Sequence, residues 1–271
     1  GRIMVEMPGI REPERVRKLL QGSANLEFWE TFNASEVIPY LTQLDQRLAN
    51  GGQEEEADTT KQEVADSAAT AQADTKAQPK FQIKKEETNA AAAAADKQST
   101  DKQMAEAKKL HPLFAVLQPT SGQSLSLVAY ANARDTAYIN SLIYSPEAKR
   151  IIPSDCRLLW SAKPADGIQA KNIYELHALK VTTTNGRAPL EGDVIVDAKD
   201  EFDNFGRPCV SMQMNSEGAR LWAQLTKANV GKAVAIVLDG VVYSAPRVNS
   251  EIDGGNSQIS GNFTIEDTKD L

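Results

Sequence analysis

Six consecutive apolar residues, Ala233 to Leu238 (AVAIVL), run directly into Asp239-Gly240 and a second apolar stretch, VVYSAP. A continuous apolar run bounded by turn residues predicts a strand buried on both faces, in the interior of a sheet. Asp-Gly between two such runs predicts a hairpin with a two-residue type I′ turn, because that turn needs left-handed backbone at both positions. Pro246 after Ala245 predicts that the second strand leaves its ladder there or lies at an edge. On this reading Asp239 is a turn residue. Neither it nor Ser244 is accompanied in sequence by the histidine or second carboxylate that a catalytic set requires.

The flanking segments supply partners for that sheet. CVSMQM alternates Val210, Met212 and Met214 against Cys209, Ser211 and Gln213, as a half-buried strand does. NSEGARLWAQLTKANVG predicts a helix capped by Asn215 or Ser216, with Leu221, Trp222, Leu225 and Ala228 as its apolar stripe and Gly231 past its end. SQISGNF predicts a last strand. At the other end of the chain, Ile3 to Met7 predicts a strand, Pro13 opens a helix, and ANLEFWETF predicts a second strand. Residues 33–50 predict a helix with Leu41, Leu44 and Leu48 on one face.

Between these ends lies a stretch of different character. From Gly51 to Lys109 the large apolar side chains are Val64, Phe81, Ile83 and Met104, too few to offset the entropy of ordering the segment, so a linker or surface excursion is expected. Structure is predicted to resume with strands at HPLFAVLQP and SLSLVAYA. Next comes a helix or pair of helices over DTAYINSLIYSPEAKRII, with Asp135 as a cap and Ser145-Pro146 as a second start. Strands at CRLLWSAKP and IYELHALKVTTT complete a small α+β unit that exits through NGRAP.

The chemistry the chain offers is sparse. A net charge of −7 over 271 residues supplies no basic face for phosphates, which argues against nucleic acid. His111 and His177 are the two histidines, each read as solvated or structurally satisfied. Cys156 and Cys209 form no CxxC pair, and pairing between them in an oxidising compartment stays open. NVGKA lacks the first glycine and the hydroxyl residue of a phosphate loop, and the acidic run from Glu54 to Asp58 lacks the ligand spacing of a calcium loop. No window reaches the roughly 20 apolar residues of a membrane helix. The chain opens on a strand pattern and stops in a helix pattern, which predicts a piece of a longer protein.

One set of ordered motifs goes further. Met7-Pro8-Gly9, Leu26-Glu27-Phe28, FDNFGRP from Phe202 to Pro208 and SEGA from Ser216 to Ala219 are followed by NVGK from Asn229 to Lys232. AIVLDG from Ala235 to Gly240, SAP from Ser244 to Pro246 and ISG from Ile259 to Gly261 complete it. Together these resemble the SecD family, accessory subunits of the bacterial Sec protein-export machinery, and within it the first large periplasmic domain. The resemblance implies an α+β fold, with a ferredoxin-like base carrying an inserted α+β head. The base would comprise residues 1–32 and 187–271 and the head residues 33–186, with 51–109 as an excursion from it.

The resemblance further implies assistance to protein export driven by the proton-motive force, on the periplasmic side of the inner membrane. The expected partners are unfolded preprotein, SecF and the SecYEG channel, with no enzyme activity, cofactor or metal in this segment. Tyr138, Ile139, Leu142 and Tyr144 follow one another at helical spacing and are candidates for gripping preprotein, the alternative being that they pack the head's own core. Phe32-Asn33 and Asn185-Gly186 are the candidate hinges between head and base. A structural module that docks the channel or a partner subunit without touching substrate is the second reading.

Overall fold

The computed structural model describes residues 25–51, 105–122, 124–165, 172–260 and 264–265. The strand expected at Ile3 to Met7, the helix from Pro13 and nearly all of the 51–109 tract lie outside the described residues. Strand β1 (Leu26–Thr31) leads into α1 (Ala34–Ala49), and β2 (Leu117–Pro119) and β3 (Leu127–Asn132) follow. Helices α2 (Thr136–Ile143) and α3 (Pro146–Ile151) precede β4 (Cys156–Pro164), β5 (Ile173–Lys180) and β6 (Leu190–Glu191). The chain closes with β7 (Ile195–Phe202), β8 (Pro208–Met214), α4 (Ser216–Ala228), β9 (Val234–Leu238), β10 (Val241–Ser244) and β11 (Asn256–Ser260).

Two sheets result. Eight strands run in the order β2-β3-β5-β4-β10-β9-β1-β6, with β5 also pairing with β1, and three run β11-β8-β7. Strand β9, the apolar run, is buried at all five positions and paired antiparallel on one side with β1 and on the other with β10. Asp239 and Gly240 adopt φ of 51° and 81°, the two left-handed positions of the expected turn, and the Asp239 carboxylate accepts the Asn25 N–H at 3.0 Å.

The expected ferredoxin-like base is not confirmed among the described residues. Strands β8 and β9 flank α4, yet they belong to different sheets, whereas a β-α-β unit of that fold needs both in one. The expected boundary between 33–186 and the remainder is likewise crossed by hydrogen bonding. Strand β4 pairs with β10 at Ser161 and Val242, and β5 pairs with β1 at Leu179 and Thr31.

Among the described residues three cores fill the layers. Val37, Leu41 and Leu44 of α1 pack with Val128, Ile139, Leu158 and Leu176. Between the two sheets, Phe28, Val234 and Ile236 meet Val210, Met212, Met214 and Ile259, with Trp222 of α4 set edge-on to Phe28 at 5.2 Å. Trp29, Leu179, Val237 and Val242 form the third. The stripe expected on α4 is corrected at its end: Ala228 is exposed and Thr226, bonded to the Trp222 carbonyl at 2.8 Å, is buried in its place. Cys209, expected on the solvent side of β8, is fully buried. Both cysteines are free, and burial pushes the Cys156 thiol up to about 12.

Capping sets the local boundaries. Asn215 accepts the Gly218 N–H and starts α4; Ser145 accepts the Ala148 N–H, with Pro146 next, and starts α3. Asp135 makes no such bond; the Asn132 side chain caps the short turn ahead of α2 instead. The strand expected at HPLFAVLQP shrinks to β2. Asp45 of α1, 2% exposed, accepts the N–H groups of Leu113 and Phe114 at 2.8 and 3.1 Å, and these open a helical turn over 111–117 that propensity alone does not encode.

The SEGA motif has a steric cause. A Cβ on Gly218 would lie 2.6 Å from the Val194 Cβ, and one on Gly255 would lie 2.8 Å from the Ala219 Cβ. Gly218→Ala is expected to cost about 1–3 kcal/mol by overpacking. A melting temperature unchanged from the parent chain would contradict that close approach.

Candidate functional site

The four side chains singled out as a grip do not share one environment. Ile139 is fully buried in the α1 core and cannot meet a substrate; the periodicity that placed it on a helix face could not tell the buried face from the open one. Leu142 is half-buried against the same core. Tyr138 is half-buried, with the Lys108 ammonium 4.5 Å from its ring centre. Tyr144, at the C-terminal end of α2, is 49% exposed, and its hydroxyl donates to the Leu158 carbonyl. Burial pushes the phenols of both tyrosines up, with Asp45 adding to the effect at Tyr138 and Arg157 opposing it at Tyr144.

The hinge candidates are tied in place. The Phe32 N–H donates to the Ala178 carbonyl at 3.0 Å, which continues the β1 to β5 pairing. Asn33 caps α1, and its N–H donates to Glu36 at 2.7 Å. The Asn185 side chain accepts the Arg187 N–H, and the Gly186 carbonyl accepts from Arg157 at 3.3 Å. A rotation about these four residues therefore also has to break ladder bonds of the large sheet.

Both histidines are structurally engaged. His111 Nδ1 lies 2.8 Å from Asp45. His177, on β5, lies 3.0 Å from Ser126 Oγ and 3.4 Å from the Glu175 carboxylate, a serine, histidine and acid in reach of one another. Ser126 is 3% exposed, so a substrate carbonyl has no approach to its oxygen, and the three pin β3 to β5 instead. Among the described residues no group of three or more His, Cys, Asp or Glu is placed to hold a metal.

The most open apolar surface among the described residues was not singled out from the sequence. Phe202 is 62% exposed, Phe205 83% and Val196 61%, all on the β7–β8 hairpin. Its tip is well ordered by Asp203, which accepts the N–H groups of Phe205 and Arg207 and the Arg207 guanidinium at 2.8–2.9 Å, while that guanidinium sits 5.2 Å from the Phe205 ring. The signal in FDNFGRP was present: an Asx-turn acid, Gly206 at φ 76° and two phenylalanines with no room to be buried in so short a loop.

Two family models match the chain: "SecDF, P1 head subdomain" over residues 171–271 and "Protein translocase subunit SecDF, P1 domain, N-terminal" over residues 1–32. Protein translocase subunit SecD of Rhodothermus marinus is 40% identical over 273 residues, which is 100% of this chain and 38% of that protein. The chain belongs to the SecD family. The SecD of Desulfurispirillum indicum is 51% identical over 119 residues, 39% of this chain and 23% of that protein. The chain thus spans well under half the length of these SecD relatives. The crystal structure of SecDF, a translocon-associated membrane protein, from Thermus thermophilus is 42% identical over 31% of this chain and 12% of that one, with a TM-score of 0.28. A superposition this loose carries no argument about the fold. The SecDF head model runs across Gly186, the boundary expected from sequence, just as the β4–β10 and β5–β1 pairings do.

Hydrogen bonds from the Arg207 and Phe205 backbone and from the Arg207 side chain hold the Asp203 carboxyl below the usual carboxylate range. Its folded value lies under its unfolded one, so its support of the hairpin tip is complete above about pH 4 and is lost as the pH falls through the folded value. The Phe205 and Arg207 amide resonances should therefore hold steady from about pH 8 to 5 and shift only in acid. Movement of those resonances near neutrality would contradict the assignment.

Proposed function

We propose that this chain is the periplasmic domain of a Sec translocon accessory subunit that assists proton-motive-force-driven export by engaging the emerging preprotein. What supports the reading is identity at 40% sustained over the whole chain with a protein translocase subunit SecD. SecF and the SecYEG channel are its partners in the full-length membrane protein. No helix among the described residues is long and apolar enough to cross a membrane.

The chain works in this proposal by binding and carries out no covalent chemistry. Tyr144 and, more weakly, Tyr138 and Leu142 remain as contacts for preprotein, since aromatic side chains half out of a core supply apolar area at little entropic cost. A change of orientation between residues 33–186 and the remainder is the costlier part of the proposal, because the β5–β1 and β4–β10 pairings span that division.

A photo-crosslinking side chain at position 144 of the full-length protein tests the reading during translocation of a stalled preprotein. Crosslinks to preprotein at 144 and none at the exposed control Lys227 are expected, with Tyr144→Ala reducing preprotein binding several-fold. Crosslinks to the channel or to SecF, with none to preprotein from any position on this chain, would replace it by the docking-module reading.

A further inference from the structure

Among the described residues, strand β7 is an edge of the three-stranded sheet, and each of its residues after Ile195 is exposed. The hydrogen-bond phase of the hairpin says which groups face outward. The Asp203 N–H donates to the Arg207 carbonyl at 2.8 Å, so those two form a bonded pair, and in an antiparallel ladder bonded pairs alternate. Glu201 with Cys209 and Lys199 with Ser211 are then bonded pairs too. Phe202 with Pro208, Asp200 with Val210 and Ala198 with Met212 are not, and Pro208, which has no N–H to give, sits where this phase requires. The N–H and C=O groups of Ala198, Asp200 and Phe202 therefore point away from β8, toward the open edge.

Natural edges of this kind are commonly blunted by charge or covered. Here Phe202 stands on the open strand and Phe205 at the adjoining tip, both largely exposed, and the tip is held rigid by Asp203 and Arg207. The side chains along the edge are acidic. Lys199 is paired with Asp197 at 2.8 Å, which leaves Asp200 and Glu201 with no ion pair among the described residues. A second β7 would bring the same surplus of negative charge against this one, whereas a basic strand would neutralise it.

We propose that the open edge of β7 binds an extended, basic polypeptide by strand addition, bonding it through Ala198, Asp200 and Phe202 and contacting its apolar side chains with Phe202 and Phe205. This rests on the reading that the chain engages unfolded preprotein, and it assigns that engagement a place and a mode. Backbone pairing of this kind is indifferent to sequence, which suits a site that must accept many chains, and the acidic edge selects for lysine and arginine.

The probe is a peptide of about 12 residues alternating lysine with valine and threonine, added to the full 271-residue chain. Amide exchange is followed by NMR. The Ala198, Asp200 and Phe202 amides, open in the free chain, should slow by about tenfold or more at saturation, while Lys199 and Glu201, already in the ladder, should not change. The same peptide with glutamate for lysine should produce no slowing. Ala198→Pro removes one outward N–H from an exposed edge and should weaken binding by about tenfold with the melting temperature retained. If that variant loses stability as well, Asp200→Lys, which leaves the backbone intact and neutralises the acidic surplus of the edge, should still remove the preference between the two peptides.

Peptide protection that maps to α2 with the edge unchanged would overturn the edge while leaving preprotein engagement intact. Failure of the lysine peptide to bind, alongside crosslinking of preprotein at position 144, would do the same. Absence of both would remove both proposals. Slowing of the edge amides with protein concentration alone would identify a second copy as the occupant and overturn the basic-peptide assignment.

Discussion

Strand β1 is hydrogen-bonded along both edges, to β9 on one side and to β5 and β6 on the other, and the arrangement of the molecule depends on that double pairing. A strand with neighbours on both sides has no free backbone groups to satisfy elsewhere, so its register fixes the strands around it. Because successive side chains point to opposite faces, Phe28 and Trp29 each seed a different core. Phe28 meets Trp222 and the small sheet; Trp29 meets Leu179 and Val237. Its buried neighbour Thr31 donates to the Ala233 carbonyl at 2.7 Å, which ties the start of the β9 segment to the same strand.

This has a mechanical consequence. An insertion joined to its host by two loose crossings can swing, but one whose strands β4 and β5 enter the host sheet shares its hydrogen bonds. Surface whose backbone is not shared lies elsewhere. The β7–β8 hairpin fits, since it touches the body through β8, its own outer strand is solvated, and its order comes from local bonds at Asp203.

The buried carboxylate of Asp45 plays the corresponding role at the other end. Its two backbone N–H partners, Leu113 and Phe114, and His111 are held by it onto the end of α1. That contact joins residues distant in sequence next to the core built from Val37, Leu41 and Leu44.

Local periodicity and turn chemistry were enough to locate β9, the Asp239-Gly240 turn, α1, α4 and the Ser145-Pro146 helix start, because each is specified by residues adjacent in the chain. The ordered motifs likewise identified the family, since they record sequence and require no contacts. What sequence left open depended on distant partners. Ile139 and Tyr144 lie on neighbouring turns, yet only the position of α1 buries the first and spares the second. Asp45 turned an expected strand into a helical turn from more than sixty residues away, a bond that no window of sequence contains. The pairing of strands across residues 33–186 and the remainder was illegible for the same reason: strand pairing is a non-local choice, made when β4 and β5 found the edges that β10 and β1 offered.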